Sequence, residues 1–357
     1  MKDLFDEYKL GDLSLKNRMV MAPMTRNRAT SEGEITDMMV THYTQRASAG
    51  LIIAESTPIS SMAVGYPCTP AIYNQRQTEL WKRLTDSVHK ADGHIFVQLQ
   101  HCGRISHPSM LPKSQLPVAP SAIRPQGQAI TYSGMQDFVT PKALDKSEIT
   151  SVIDQFQTAA KFAKSAGFDG IEVHGANGYL IDQFLRDGSN TRTDEYGGSL
   201  QNRFRFASEV IDAVCSVWKS SQVGIRLSPE NSFNSMSDSS PMGHFSYFTE
   251  QLNSKKLAYL HVLQGDMLSA TKSDFDYHSL RSKFNGTYIA NGGYGYHRAM
   301  NDLTNGCADL VAFGSLFLAN PDLVRRFKEN LPLNEADRAT FYGGTEKGYN
   351  DYPYYGG

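Results

Sequence analysis

Cysteine is scarce in this sequence, and the way it is scattered rules out several chemistries. Cys68, Cys102, Cys215 and Cys307 lie far apart and form no C-x-x-C, so neither a zinc site nor an iron–sulfur cluster is indicated and no metal is expected. They read as reduced thiols of a cytoplasmic protein. An excess of charge of one sign is also missing. Lys+Arg number 35 and Asp+Glu 37, a formal net charge of −2, which gives no electrostatic reason to expect nucleic acid or an anionic membrane as a partner. No apolar run approaches membrane-spanning length, and the opening Met1-Lys-Asp-Leu-Phe-Asp-Glu7 is too charged for a signal peptide. A soluble protein with a small-molecule partner is expected. Also absent is G-x-G-x-x-G after the first strand-like run, which instead enters Pro23-Met24-Thr25 and so argues against a dinucleotide-binding open sheet.

What the sequence does contain is regular alternation. Short apolar runs occur at Arg18–Ala22, Leu51–Ala54, Ile95–Leu99, Ile171–Val173, Val223–Leu227, Tyr259–Leu263, Tyr288–Ala290 and Leu310–Phe313. Most are separated by segments with helical stripes, such as Phe204, Ala207, Val210, Ile211, Val214 and Trp218, or Ile149, Val152, Ile153, Phe156, Ala160 and Ala163. Asp145 with Glu148 suggests a capping box for the second stripe and Gly167 its stop, while Asn320-Pro321 reads as an N-cap followed by proline at the first helical position. Eight strand–helix units favour an α/β fold closed as a (β/α)8 TIM barrel, and 357 residues suit one such domain over 1–357. Tyr8-Lys-Leu-Gly-Asp-Leu-Ser-Leu15 predicts an N-terminal β-hairpin turning at Gly11-Asp12, placed to plug the barrel bottom. The stretch 102–143, with proline at 108, 112, 117, 120, 125 and 141, is too long for an ordinary connection and predicts a capping insertion after strand 3. The Tyr/Gly-rich tail from Phe341 to Gly357 fits an ordered or a frayed end.

The chemistry is placed at Gly170-Ile-Glu-Val-His-Gly-Ala-Asn-Gly-Tyr179, where a buried strand empties into three polar side chains at the catalytic face of a barrel. His174 and Asn177 are neutral donors able to direct two hydrogen bonds at one oxygen and stabilise charge developing there. Tyr179 offers a proton that stays bound until a carbanion needs it. Taken alone, the trio also fits a core histidine and two loop-capping polar residues. The loops after strands seven and eight, Asn291-Gly292-Gly293 and Gly314-Ser315, lack side chains that would keep an anion from backbone N–H groups, and barrels commonly bind phosphate there. A phosphate-bearing cofactor lying over the barrel follows.

Several stretches in order carry a resemblance: Asn17-Arg-Met-Val-Met-Ala-Pro-Met-Thr-Arg26, Gln98-Leu-Gln-His-Cys-Gly-Arg-Ile-Ser-His107, His174-Gly-Ala-Asn-Gly-Tyr-Leu-Ile-Asp-Gln-Phe184, Asn190-Thr-Arg-Thr-Asp-Glu-Tyr-Gly-Gly-Ser199 with Asn202-Arg203, Gly224-Ile-Arg-Leu-Ser228 and Asn320-Pro-Asp-Leu323. Over nearly its whole length the chain resembles the Old Yellow Enzyme family of FMN-dependent ene-reductases. The resemblance implies an NAD(P)H-dependent flavin oxidoreductase that takes hydride from NADPH or NADH onto FMN and delivers it to the β-carbon of an α,β-unsaturated carbonyl, or to quinones, maleimides and nitro compounds. It implies that Pro23, Met24, Thr25, Ser56, Gln98 and Arg226, with Asn291, Gly292, Gly293, Gly314 and Ser315, hold FMN. His174 and Asn177 then bind the substrate carbonyl, Tyr179 protonates the α-carbon, and Tyr66, Gln100 and Tyr342 line the pocket. A monomer or homodimer acting on electron-poor alkenes is implied.

Two positions depart from the family. Gln100 stands where tryptophan is usual, which widens the pocket or makes it more polar, and Ser315 stands where an arginine usually meets the phosphate. These departures keep open an alternative, a non-catalytic flavin- or ligand-binding barrel. The iron–sulfur branch of related barrels would need a cysteine cluster that is absent.

Overall fold

In the computed structural model, which describes residues 2–269 and 274–356, eight parallel strands close into a barrel. They are β1 (Met19–Met21), β2 (Leu51–Pro58), β3 (Ile95–Gln100), β4 (Gly170–His174), β5 (Val223–Leu227), β6 (Tyr259–Leu263), β7 (Thr287–Asn291) and β8 (Leu310–Phe313). Each of the eight expected runs forms one strand, and β8 pairs with β1 to close the ring. Met1 and Gly357, the ends of the expected 1–357 domain, lie outside the described residues.

Every residue of the barrel strands but Thr287 is buried, because helices cover the outside of the barrel and side chains fill the inside. The period of two sorts them. Met19, Met21, Ile52, Ile95, Val97, Ile171, Val173, Ile225 and Val262 face out into the helix-packed core. Val20, Ala22, Leu51, Ile53, Phe96, Tyr259, Ile289, Leu310 and Ala312 form a separate inner cluster. A methyl group on Gly224 would stand 2.3 Å from the Tyr259 ring, so only glycine leaves room for that ring inside the barrel.

The N-terminal hairpin forms as expected, Tyr8–Leu10 against Leu13–Leu15, with Gly11 at φ 56° in the turn. Leu10 and Leu15 are buried in the inner cluster, so the hairpin closes the bottom of the barrel.

The helices Lys146–Ser165 and Leu200–Cys215 carry the expected stripes, except that Trp218, also buried, lies past the end of the second helix. Asp145 and Glu148 form both halves of the capping box, and Gly167 (φ 79°) follows the helix end. One expectation is corrected: the last helix runs Leu323–Lys328 with Asp322 at its N-cap, so Asn320-Pro321 precedes it by a turn. The Asn320 side chain is instead drawn to its own side of the chain, donating to Leu316 O and accepting from the Asn334 N–H.

The insertion after β3 holds a second hairpin, Gln128–Thr131 with Gly134–Asp137. Its Ala129, with Phe138, packs on Cys102, Ile105, Tyr66 and Tyr179, which caps the barrel mouth. The tail is ordered through its described residues. Tyr349 is fully buried, stacked at 3.9 Å on His42, with Arg26 and Arg28 over its ring. Among the described residues no helix is long and apolar enough to cross a membrane.

Candidate active site

The C-terminal ends of the strands carry polar side chains where the lower layers carry apolar ones. Continuing the inward set of each strand brings Gln98, Glu172, His174, Arg226, His261 and Asn291 together. Ser56 joins them because a register shift in β2 between Ile53 and Ser56 re-aims the strand. The Ser56 hydroxyl donates to Gln98 Oε1 (2.6 Å), and Gln98 Nε2 donates to Glu172 Oε1 (2.7 Å). Glu172 Oε2 meets His261 Nδ1 at 2.8 Å, His261 Nε2 lies 3.3 Å from Arg226 Nη1, and Arg226 Nη2 donates to Asn291 Oδ1 (2.9 Å). Asn291 Nδ2 donates to Ala312 O (2.9 Å), which carries the network to β8. Arg226 is 5% exposed, and burial lowers its pKa, opposed by Glu172.

After β4 the chain turns through Gly175–Tyr179. The turn is fixed from two sides. The Asn177 N–H donates to Ser228 Oγ (2.8 Å), and Asn177, at φ 59°, takes the left-handed conformation that asparagine tolerates. The Gly178 N–H donates to Asp182 Oδ2 (2.8 Å), and Asp182 is paired with Arg186 at 2.8 Å, both buried. His174 Nδ1 accepts from the Ala176 N–H (3.3 Å), which leaves Nε2–H as the donor of the neutral ring. Burial holds the His174 pKa well below its ordinary value, assisted by Arg226 and His261.

Asn177 Oδ1 accepts from Asn231 Nδ2 (2.9 Å). Tyr179 stands edge-on to His174, ring centroids 5.0 Å apart, and its hydroxyl donates to Tyr66 (3.1 Å). Desolvation raises both phenol pKa values, and Asn234, which also donates to Asn177 O (2.8 Å), opposes the rise.

Most of the residues singled out in the sequence converge on this mouth. Pro23, Met24 and Thr25 are half-buried in the loop after β1, and the Met24 sulfur approaches Gly314. Gly292 (φ 125°) would, with a side chain, place Cβ 2.4 Å from Gln264 O; Gly293 and Ser315 are exposed. Gln100 is buried beside the cap and donates to Cys102 Sγ (2.8 Å), while its Oε1 has no partner among the described residues. Tyr342 lies apart from the buried cluster: it is 68% exposed on the tail, near enough to raise the Tyr66 pKa. Glu172, His261, Ser228, Asn231 and Asn234 were not anticipated. The first two had a signal, since each is a polar side chain at every second position of an apolar strand.

The residues present fit FMN. Arg226 Nε is buried at the mouth without a partner among the described residues, which suits the ring system, and Gly292 leaves backbone where a side chain would be excluded, which suits the phosphate. Gln98, Arg226 and Thr25 would hold the ring and the glycine loops of β7 and β8 the phosphate.

The profile described as the NADH:flavin oxidoreductase / NADH oxidase family matches residues 3–334. The chain is 46% identical over 360 residues to 12-oxophytodienoate reductase 1 of Oryza sativa subsp. japonica, covering 98% of this chain and 93% of the rice protein. It is 43% identical over 350 residues to a probable flavin mononucleotide-dependent alkene reductase of Leishmania infantum, covering 97% and 95%. Among solved structures, morphinone reductase superposes with a TM-score of 0.95 at 43% identity, covering 99% of this chain and 96% of that one. The old yellow enzyme homologue from Zymomonas mobilis gives 0.95 at 39%, covering 98% and 99%.

Proposed function

The chain belongs to the NADH:flavin oxidoreductase family, the Old Yellow Enzyme group, and from that premise we propose which of its residues carry each part of the reaction. It is an FMN-dependent oxidoreductase that reduces activated alkenes with a nicotinamide cofactor as reductant. Bound FMN supplies the hydride acceptor and donor that links the nicotinamide to the alkene β-carbon.

His174 Nε2–H and the Asn177 NH2 group bind the substrate carbonyl oxygen and stabilise the negative charge it gains, as neutral donors in a buried site where such bonds are strong. Tyr179 gives its Oη proton to the α-carbon. Its raised pKa keeps that proton in place until the carbanion forms, and Tyr66, hydrogen-bonded to it, is the adjacent hydroxyl through which a proton returns. Arg226 and Gln98 would hold the flavin's pyrimidine end, Thr25 would hydrogen-bond its carbonyl, and the Gly292, Gly293, Gly314 and Ser315 amides would take the phosphate. Phe138 and Ala129 of the cap keep water from Tyr179. Gln100 and Tyr342 bound the substrate space, and the four free cysteines suit a reducing cytoplasm, with the protein a monomer or homodimer.

The observation that carries these assignments is the edge-on contact of Tyr179 with His174 across the turn that also holds Asn177, with His174 Nδ1 occupied so that Nε2–H is the donor. A non-catalytic barrel would give no reason to bury a protonated phenol beside that pair. Purified protein is expected to show a flavin spectrum that bleaches on anaerobic NADPH and returns on adding 2-cyclohexenone. Alanine at both His174 and Asn177 should spare the bleaching far more than the return; a double variant that reoxidises with the enone at the parent rate refutes the pair.

A further inference from the structure

An amide can present either its NH2 group or its oxygen to a ligand, and the two states differ by a half-turn of one torsion. At Asn177 that choice decides whether a ligand oxygen is bound or repelled. The backbone of Asn177 is held by Ser228 and Asn234, so only the side chain has the choice to make.

Asn231, in the loop after β5, is fully buried. Its Oδ1 accepts from the N–H groups of Phe233 (3.4 Å) and Met267 (3.3 Å). Its NH2 group therefore points the other way and donates to Asn177 Oδ1 at 2.9 Å. The loop is anchored in turn, because the Ser232 N–H and hydroxyl both donate to Asp266, the hydroxyl at 2.6 Å.

We propose that Asn231 is a positioning residue that locks Asn177 with its NH2 group facing the substrate. The protein's preference for a carbonyl or anionic oxygen at this point then depends on a side chain that never touches the ligand. Two backbone donors fix Asn231, Asn231 fixes Asn177, and a reversed Asn177 would set oxygen against oxygen. The inference rests on the assignment of His174 and Asn177 as the oxygen-binding pair.

The test titrates FMN-loaded protein with 4-hydroxybenzaldehyde, whose phenolate oxygen is the acceptor, and follows the long-wavelength charge-transfer band. Asn231→Asp keeps an acceptor for both backbone donors but replaces the donor facing Asn177, so Asn177 turns its NH2 group away from the ligand. Affinity should fall roughly tenfold to a hundredfold, the worth of a hydrogen bond to a charged partner. Asn231→Leu removes the lock without adding charge and should lose less. Both variants are repeated with Asn177→Ala, where the side chain they act through is gone. There Asn231→Leu should have almost no effect, and any loss left in Asn231→Asp is the bare repulsion of its charge.

Losses of equal size with and without the Asn177 side chain overturn the proposal, as do two variants that retain parental affinity with FMN bound. If Asn177→Ala alone leaves affinity unchanged, the oxygen-binding pair is wrong and the inference falls with it. If Asn177→Ala weakens binding while the Asn231 variants do not, the inference falls and the pair stands.

Discussion

At the scale of single residues, the phenol and the phosphate loop give the sharpest expectations. Tyr179 is buried between Tyr66, His174 and the cap, and its pKa is raised. Tyr179→Phe should slow turnover of cyclic enones by about 10²–10⁴-fold, the usual worth of a placed general acid. Quinones need no proton on carbon and should be spared, as should flavin reduction by NADPH. Stopped-flow measurement of both half-reactions decides the matter, and equal slowing of the two would make Tyr179 a structural residue.

Ser315 supplies a hydroxyl where a guanidinium is usual, and Arg298 is the nearby cation the structure offers. Its guanidinium donates to Gly292 O (2.8 Å) and Gln264 Oε1 (2.6 Å) and lies over the Tyr294 ring at 3.9 Å. It therefore braces the glycine loop with donors already in use. Ser315→Arg should tighten FMN binding about 10–100-fold, less at high salt, and Arg298→Ala should loosen it by a smaller factor. Titration of apoprotein with FMN measures both. No gain from the first with a large loss from the second would show that Arg298 already serves the phosphate.

At the scale of elements, the two ends of the barrel separate stability from function. The N-terminal hairpin buries Leu10 and Leu15 against the inner cluster at the bottom, while every candidate site residue stands at the other end. Leu15→Ala removes a fully buried leucine and should cost roughly 2–5 kcal/mol of stability, yet leave FMN affinity within about twofold. Denaturant unfolding and FMN titration on one preparation test this. A parallel loss of affinity would mean that the plug sets the geometry of the mouth. The cap is the opposite case, since Ala129 and Phe138 share one buried cluster with Tyr179 and a change there should act on chemistry and stability together.

At the scale of the whole molecule, buried titrating groups set the response to pH. His42, His101, His174 and His261 are buried and held neutral, each chiefly by desolvation, His101 down to about 3. An unfolded chain protonates histidine near 6.5, so this contribution to stability is complete above that pH and lost as pH falls through it. Glu55 runs the other way. It is buried against Tyr43 and the Arg26 N–H, and desolvation pushes its pKa up to about 7, opposed by Arg26 and Arg28. Its contribution is present at low pH and lost as pH rises from about 4.5 to 7. Asp182, buried and raised by desolvation, runs the same way as Glu55; between pH 5 and 6 the four histidines outnumber these two carboxyls, so stability should fall on acidification. Glu55→Gln removes one opposing group. Its Tm should exceed the parent's by more at pH 8 than at pH 5, and a gap that does not widen with pH would contradict the raised pKa.

The barrel was legible in the sequence because each strand, buried on both sides, reads as a short apolar run, and Asp145, Glu148 and Gly167 mark a helix by local rules alone. His174, Asn177 and Tyr179 were legible for a related reason: they follow directly from the end of one strand, so chain geometry alone puts them in one turn. What joins strands was not. Glu172, His261, Arg226 and Asn291 meet only because closure brings β4, β5, β6 and β7 into register, and the β2 bulge that turns Ser56 inward leaves no mark in composition. Asn320-Pro321 satisfied the local rule for a helix start, but the Asn334 N–H and Leu316 O engage its side chain, so tertiary contacts moved the cap to Asp322. Asn231 lies 54 residues from Asn177 and sits in a loop with no periodicity. The sequence could name the amide proposed to bind oxygen, but the neighbour that engages one end of it, Asn231, is supplied only by the folded chain.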